Sequence, residues 1–242
     1  MGPNGDGRRR PEGDPANGHQ PPHGSRGTDP PDLGSAPRIR AGTRGDTQGV
    51  AVLHAGQISE GFLSLLGVRF LQLLYRRILL HPASFLLVAD DHGDSVGFIA
   101  GSTDVAGLYR SFLWRDGAAA LIRAAGPLAR GWRRVLETLR HGRPDGDGTP
   151  PGAELLSVAV DRSWQGRGTG GLLVASLLEE MAARGRGVVT VVVGAENDGA
   201  VALYVRCGFV AVERFELHPG TESLFMRWER AGPPAPSEAA PG

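Results

Sequence analysis

Residues 155–171 read LLSVAVDRSWQGRGTGG, an apolar run that gives way to a glycine-rich segment. The first six residues predict a buried strand, and residues 165–171 predict a tight turn at the start of a helix. A turn with few side chains exposes consecutive backbone N–H groups, and the helix that follows points the positive end of its dipole at the same place. Gly166, Gly168 and Gly170 leave room for an anion at the backbone. The stretch therefore predicts a binding site for a pyrophosphate group.

The glycine turn by itself is weak evidence, because a chain with 37 Gly among 242 residues contains G-x-G pairs by chance. Roughly 6 such pairs are expected. Gly166, Gly168 and Gly171 also match the dinucleotide fingerprint G-x-G-x-x-G, with Glu196 at the end of the next predicted strand. A dinucleotide fold needs several further strand and helix units, and the roughly 60 residues between Gly171 and the Pro-rich end leave no room for them. A Walker-type phosphate loop and Schiff-base chemistry both need lysine, whereas all 26 basic residues are arginine.

The segments around the glycine turn resemble the two signatures of the GNAT superfamily of acyl-CoA-dependent N-acyltransferases. Gln165, Gly168 and Gly170 match that family's pyrophosphate loop, [RQ]-x-x-G-x-[GA]. Asn197 and the motif ALYVRCGF at 202–209 match its second signature, which follows a second apolar run predicted to be a strand. Both signatures occur in the family's order and spacing. The resemblance implies the GNAT fold, a mixed α/β structure in which helices flank a central, partly splayed mixed sheet.

The resemblance also implies where acetyl-CoA binds. The loop backbone is expected to hold the pyrophosphate, and residues 158–160 are expected to pair with the pantetheine arm like an added strand. A backbone N–H near Val160 is the expected donor to the developing oxyanion. The expected cofactor-binding residues are Val158, Ala159, Val160, Gln165, Gly166, Arg167, Gly168, Thr169, Gly170, Asn197 and Tyr204.

Two residues are the expected catalytic groups. Tyr204 stands where the family usually keeps the proton donor to the departing CoA sulfur. Because the reference pKa of tyrosine is near 10 and that of a thiol about 8.5, a strong hydrogen bond to the thiolate is expected before any full proton transfer. Glu154 stands where several family members keep a carboxylate and is the expected general base, directly or through a water. His218 and Glu196 stay open as alternatives for that role.

The composition predicts one globular domain with an appendage at each end. Residues 1–37 and 231–242 are rich in Gly and Pro and poor in large apolar residues, so both are expected to be disordered, on either side of a domain at 38–230. The formal net charge is 0, which gives no steering towards nucleic acid, and no nucleic-acid partner is expected. Cys207 is the only cysteine, and no secretory signal is recognisable, so the expected location is the cytoplasm.

Two further elements are predicted in the first half of the domain. Apolar residues three and four apart between 58 and 80 predict one long helix, which His81 and Pro82 end. The apolar runs 85–89 and 96–101 flank the turn DDHGD and predict a β-hairpin.

Residues 103–152 are predicted to be a helical insertion between the third and fourth strands. Within it, residues 117–140 have strong helical character, and Trp132, Val135, Leu136 and Leu139 form one apolar stripe. Residues 104–143 carry eight Arg against three acidic residues. Three interpretations stay open: a helical hairpin with solvated arginines, a lid over the acceptor pocket that meets an anionic substrate, or an amphipathic element at a membrane surface.

The resemblance to the GNAT superfamily implies an N-acetyltransferase that moves an acetyl group from acetyl-CoA to a primary amine by direct attack in a ternary complex. The bulk of the insertion favours a small acceptor, such as an amino sugar, over a protein. A catalytically silent acyl-CoA-binding sensor is the alternative, and Tyr204 together with the intact loop favours the enzyme. No metal site is predicted, and the sequence leaves the oligomeric state and the length of the acyl chain open.

Overall fold

The described strands of the protein form one mixed sheet. The computed structural model describes residues 36–58, 63, 66–123, 152–218 and 221–231. The strands are Arg38–Ala41 (β1), Ser84–Asp91 (β2), Asp94–Ser102 (β3), Ala153–Val160 (β4), Val188–Gly194 (β5), Val210–His218 (β6) and Thr221–Glu229 (β7). Their order is β1-β2-β3-β4-β5-β7-β6, and β4 runs parallel to β5 while the other neighbours are antiparallel. The predicted mixed sheet, with the run before the glycine turn as its central strand, is confirmed.

Helices cover both faces of this sheet. They are Thr47–Gln57 (α1), Val68–Leu80 (α2), Val105–Arg123 (α3), Thr169–Ala183 (α4) and Asp198–Arg206 (α5). One apolar core joins α1, α2 and α3 to the first face, with Leu71, Phe98 and Leu108 at its centre. A second core joins α4 and α5 to the opposite face, around Leu177 and Met181. Central strand β4 contributes to both cores, which fits its nearly unbroken apolar sequence.

The single long helix predicted for 58–80 is wrong. Helix α1 ends at Gln57, and α2 begins at Val68, directly after Gly67. Gly67 has φ of 81°, in the left-handed region where a helix cannot continue, and it caps the start of α2. The apolar spacing of α2 itself was interpreted correctly, because its apolar side chains at 70, 71, 74 and 78 are buried.

The described part of the predicted insertion belongs to the core of the domain. The helix predicted from Gly117 starts earlier, at Val105, immediately after β3. Leu108 and Phe112 are buried, and the ring of Phe112 lies 5.4 Å from that of Phe70 on α2. Residues 124–151, which contain the apolar stripe and most of the arginines, lie outside the described residues, and the three interpretations of them stay predictions.

The predicted hairpin is confirmed at β2 and β3. Its turn places His92 at φ of 49° and Gly93 at φ of 100°, the two left-handed residues of a tight hairpin turn. The described helices include none that is both long enough and apolar enough to cross a membrane.

Candidate active site

A cleft opens between the two parallel strands at the centre of the sheet. Strands β4 and β5 pair only at Ala153 with Val189 and at Glu154 with Thr190. Beyond these pairs β4 continues along β3, and β5 continues along β7, so their facing edges have no strand partner among the described residues. The sheet is therefore splayed at this position, as predicted.

A β-bulge in β4 accounts for the separation. In the pairing with β3, Ala100 faces Ser157 and Gly101 faces Leu155, which leaves Leu156 as the extra residue. A bulge bends its strand and increases the local twist, so β4 turns away from β5 just after their last pair.

The backbone beyond the bulge offers polar groups to the cleft. The N–H of Asp161 donates to the carbonyl of Val96 at 2.9 Å, which fixes the side on which β4 pairs with β3. Because backbone groups alternate between the two sides of a strand, those of Val158 and Val160 point to the open side. The Val160 carbonyl accepts a hydrogen bond from Gln165 Nε2 at 2.9 Å, in agreement with this direction. An extended polar chain can therefore pair with β4 as an additional strand.

The glycine loop closes the cleft at the end of β4. Gly166 and Gly168 have φ of 74° and 84°, which side-chain-bearing residues rarely adopt, and Gly168 caps the first turn of α4. Within the described ranges, the N–H groups of residues 166–171 donate no hydrogen bond. The positive end of the α4 dipole lies at the same place, so the loop has the features of an anion-binding site.

The side chains of Arg167 and Thr169 in the loop differ in their surroundings. Arg167 lies over the ring of Trp164, with 5.3 Å from its guanidinium carbon to the ring centroid. Thr169 is 1% exposed, and its hydroxyl has no partner in the described part of the chain. Thr169 can therefore contribute its backbone N–H to a bound anion, but not its side chain.

Helix α5 places the second signature beside this loop. Asn197 Oδ1 accepts a hydrogen bond from the Ala200 N–H at 3.1 Å, so this residue caps the helix. A Cβ on Gly170 would lie 3.2 Å from Leu203, which shows how closely the start of α4 packs on α5.

Tyr204, the next residue of α5, is buried with its ring 5.6 Å from that of Phe209. Its hydroxyl makes no hydrogen bond to the described residues. Burial raises the pKa of Tyr204, and Cys207 adds to the rise. The phenol is therefore protonated at neutral pH and suited to donate a hydrogen bond rather than to act as a base.

The predicted carboxylates occupy two different places. Glu154 is half-buried at the apex of the cleft, in the last residue pair before β4 and β5 separate. Its charge acts on Tyr109 of α3. Burial raises the pKa of Tyr109, and the negative charge of Glu154 raises it further. Glu196 is exposed in the turn between β5 and α5, and His218 ends β6. Among the three candidates for the base, Glu154 is the one at the strand junction.

Sequence reasoning missed a buried polar chain behind β4. Tyr75 OH lies 2.6 Å from His54 Nδ1 and 3.0 Å from Ser157 Oγ, which links α1, α2 and β4. His54 and Tyr75 are 3% and 1% exposed. The only signals in the sequence were single polar residues within apolar faces and Ser157 within the apolar run of β4.

His54 makes stability depend on pH in a defined window. Burial lowers the pKa of His54 to about 4 from its ordinary value of 6.5. Between these values the unfolded chain binds a proton that the native chain does not, so stability is lost as the pH falls. We expect the free energy of unfolding to fall by about 2 kcal/mol between pH 7 and pH 5. Urea denaturation at both pH values measures it, and a difference that persists in His54→Gln would assign the effect to other groups.

Comparison with known proteins identifies the family. Residues 58–209 match the model of the acetyltransferase (GNAT) family, a segment that contains the cleft, the glycine loop and Tyr204. The chain therefore belongs to the acetyltransferase (GNAT) family. The predicted superfamily of acyl-CoA-dependent acetyltransferases and its fold are confirmed.

Two relatives align with parts of the chain. An uncharacterized N-acetyltransferase of Methanocaldococcus jannaschii is 42% identical over 57 residues, which are 24% of this chain and 25% of that protein. The N-alpha-acetyltransferase RimI of Mycobacterium tuberculosis is 39% identical over 89 residues, 35% of this chain and 54% of that protein. The matched segments thus span about a quarter of one relative and about half of the other.

A solved structure shares the fold over a longer range. YncA of Salmonella typhimurium, solved with its cofactor acetyl-CoA, superimposes with a TM-score of 0.52. The match covers 85% of this chain and 100% of that chain, with 17% sequence identity.

Proposed function

We propose that the protein transfers an acetyl group from acetyl-CoA to a primary amine, by direct attack of the amine in a ternary complex. The observation that carries this proposal is the continuity of the open edge of β4 with a loop of unpaired N–H groups. The edge suits the amides of a pantetheine arm, and the loop suits its pyrophosphate. The proposed cofactor-binding residues are those predicted from the sequence, with Thr169 acting through its backbone.

The proposed roles of the remaining groups follow from their positions. Bound acetyl-CoA supplies a thioester whose carbonyl carbon is open to attack by an amine. The Val158 N–H, which lies on the open side of β4 together with that of Val160, is proposed to donate to the carbonyl oxygen as negative charge develops there. Tyr204 is proposed to donate a hydrogen bond to the sulfur as it departs. Glu154, at the apex of the cleft, is proposed to accept the proton of the amine, directly or through a water.

The acceptor is the less specified half of the reaction. We propose a small primary amine, such as an amino sugar, because the chain carries about 50 residues between β3 and β4 that can narrow the acceptor side. The similarity to the N-alpha-acetyltransferase RimI favours a second candidate, the N-terminus of a protein. A cytoplasmic setting, predicted from the single cysteine, fits either acceptor.

Binding and turnover experiments test the proposal in sequence. Calorimetry with CoA, acetyl-CoA and NAD comes first, and tight binding of NAD without binding of CoA would reject the site. Thiol release from acetyl-CoA is then measured against amino sugars and against peptides with a free N-terminus. Binding of acetyl-CoA without turnover on any amine would favour the silent sensor.

Glu154→Gln should lower kcat by about five- to tenfold and leave the affinity for acetyl-CoA unchanged. The effect is modest because solvent can replace a base that acts through water, and the amide retains the size of the side chain. The loss should be largest at low pH, where less of the amine is already neutral. The pH dependence of kcat for variant and wild type measures it, and identical profiles would remove Glu154 from proton transfer.

A further inference from the structure

The polar chain from α1 to β4 has a defined direction. Burial of His54 and Tyr75 is tolerable only because each is hydrogen-bonded. Tyr75 has a single proton, so it donates either to His54 and accepts from Ser157, or to Ser157 and accepts from His54.

The free nitrogen of His54 decides between these arrangements. Its Nε2 is buried and has no partner among the described residues. Buried N–H groups without an acceptor are rarer than buried acceptors without a donor, which favours a bare Nε2 and a proton on Nδ1. His54 then donates to Tyr75, and Tyr75 donates to Ser157. The proton of the Ser157 hydroxyl then has no acceptor among the described residues, so it is available to a bound ligand.

Ser157 lies next to the open edge of β4, where a bound ligand can reach it. It is half-buried at the bulge of β4, three residues beyond the point at which β4 and β5 separate. An arm that runs back from the glycine loop along the open edge meets Val160 and Val158 first. It reaches the level of Ser157 about 10 Å from Val160, at the strand rise of about 3.3 Å per residue.

We propose that the Ser157 hydroxyl donates a hydrogen bond to the thioester carbonyl of the bound acyl-CoA, and that Tyr75 and His54 are positioning residues that orient this hydroxyl. The inference rests on the proposed function and specifies how the acyl group is recognised. A donor at the carbonyl favours the developing oxyanion over the neutral thioester, so the Ser157 hydroxyl acts together with the N–H of Val158, the next residue of β4. Tyr75 and His54 keep the Ser157 hydroxyl aligned before the acyl group arrives.

The affinity for acetyl-CoA relative to that for CoA isolates this contact, because only the acetylated form carries the carbonyl. Calorimetry of Ser157→Ala should show that ratio reduced about three- to tenfold, the range for one neutral hydrogen bond, with CoA affinity unchanged. In Ser157→Ala, the infrared band of the thioester carbonyl should lie at a higher frequency than in the wild type. This band is followed with acetyl-CoA labelled at the carbonyl carbon. Ser157→Thr should retain the wild-type band, and Tyr75→Phe should give an intermediate one.

A serine elsewhere in the sheet supplies the control. Ser84 on β2 is buried and donates to Ser102 at 3.0 Å, so Ser84→Ala also removes a buried, bonded hydroxyl. That variant should leave both the ratio and the carbonyl band as in the wild type. A folded Ser157→Ala protein with an unchanged ratio and band overturns the inference alone. Failure of the wild type to bind acetyl-CoA at all overturns the proposed function and the inference with it.

Discussion

Tyr204→Phe should lower kcat about a hundredfold while leaving the affinity for acetyl-CoA within about twofold of wild type. The hydroxyl is proposed to act on charge that develops on the sulfur only as the thioester bond breaks, so its loss affects the transition state and not the ground state. Thiol-release kinetics measure kcat, and calorimetry measures the affinity. An unchanged kcat would remove Tyr204 from the mechanism.

The surroundings of Tyr204 make this substitution interpretable. Its ring packs against Phe209, and a phenylalanine preserves that contact. Because the hydroxyl has no partner in the described part of the chain, its removal leaves no buried group unsatisfied, and the melting temperature should not fall. The raised pKa of Tyr204 adds a second expectation: kcat of the wild type should show no loss from ionisation of this phenol up to about pH 10. A decline of kcat in parallel with a lower melting temperature would point to misfolding instead.

The sequence predicted the parts of the site that are local in the chain. The glycine loop, the second signature at the start of α5 and the order of strand, loop and helix depend on residues close together in sequence, and each has a recognisable pattern. The boundary at Gly67 was missed because the apolar spacing continues on both sides of it. Hydrophobic periodicity reports which face is buried, but it does not report a single residue with left-handed backbone.

The polar chain behind β4 could not be predicted for a different reason. Its members are separated by 21 residues between His54 and Tyr75 and by 82 between Tyr75 and Ser157. No spacing rule connects a helix residue to a strand residue at that distance, because the contact depends on how the helices cross the sheet. The bulge at Leu156 is also invisible in the sequence, since an extra residue in an apolar strand does not change its composition.

Gly168→Val should raise the dissociation constant of CoA by about ten- to a hundredfold. Gly168 has φ of 84°, a conformation that a β-branched residue adopts only with strain. The loop must therefore change its backbone to accept valine, and this change displaces the N–H groups of residues 166–171 that are proposed to hold the pyrophosphate. Calorimetry with CoA measures the loss.

Gly185 separates the loss of the anion site from the loss of stability. It also has a positive φ, of 72°, and a Cβ on it would meet no atom within 4 Å, as at Gly168. Gly185 follows the other end of α4, about 22 Å away along a helix of 15 residues. Gly185→Val should thus carry similar backbone strain and bind CoA like the wild type. Acetyl-pantetheine, which lacks the pyrophosphate, should bind Gly168→Val and wild type equally. Equal CoA affinity of Gly168→Val and wild type would show that the pyrophosphate binds elsewhere, whereas equal losses in both variants would show that only stability changed.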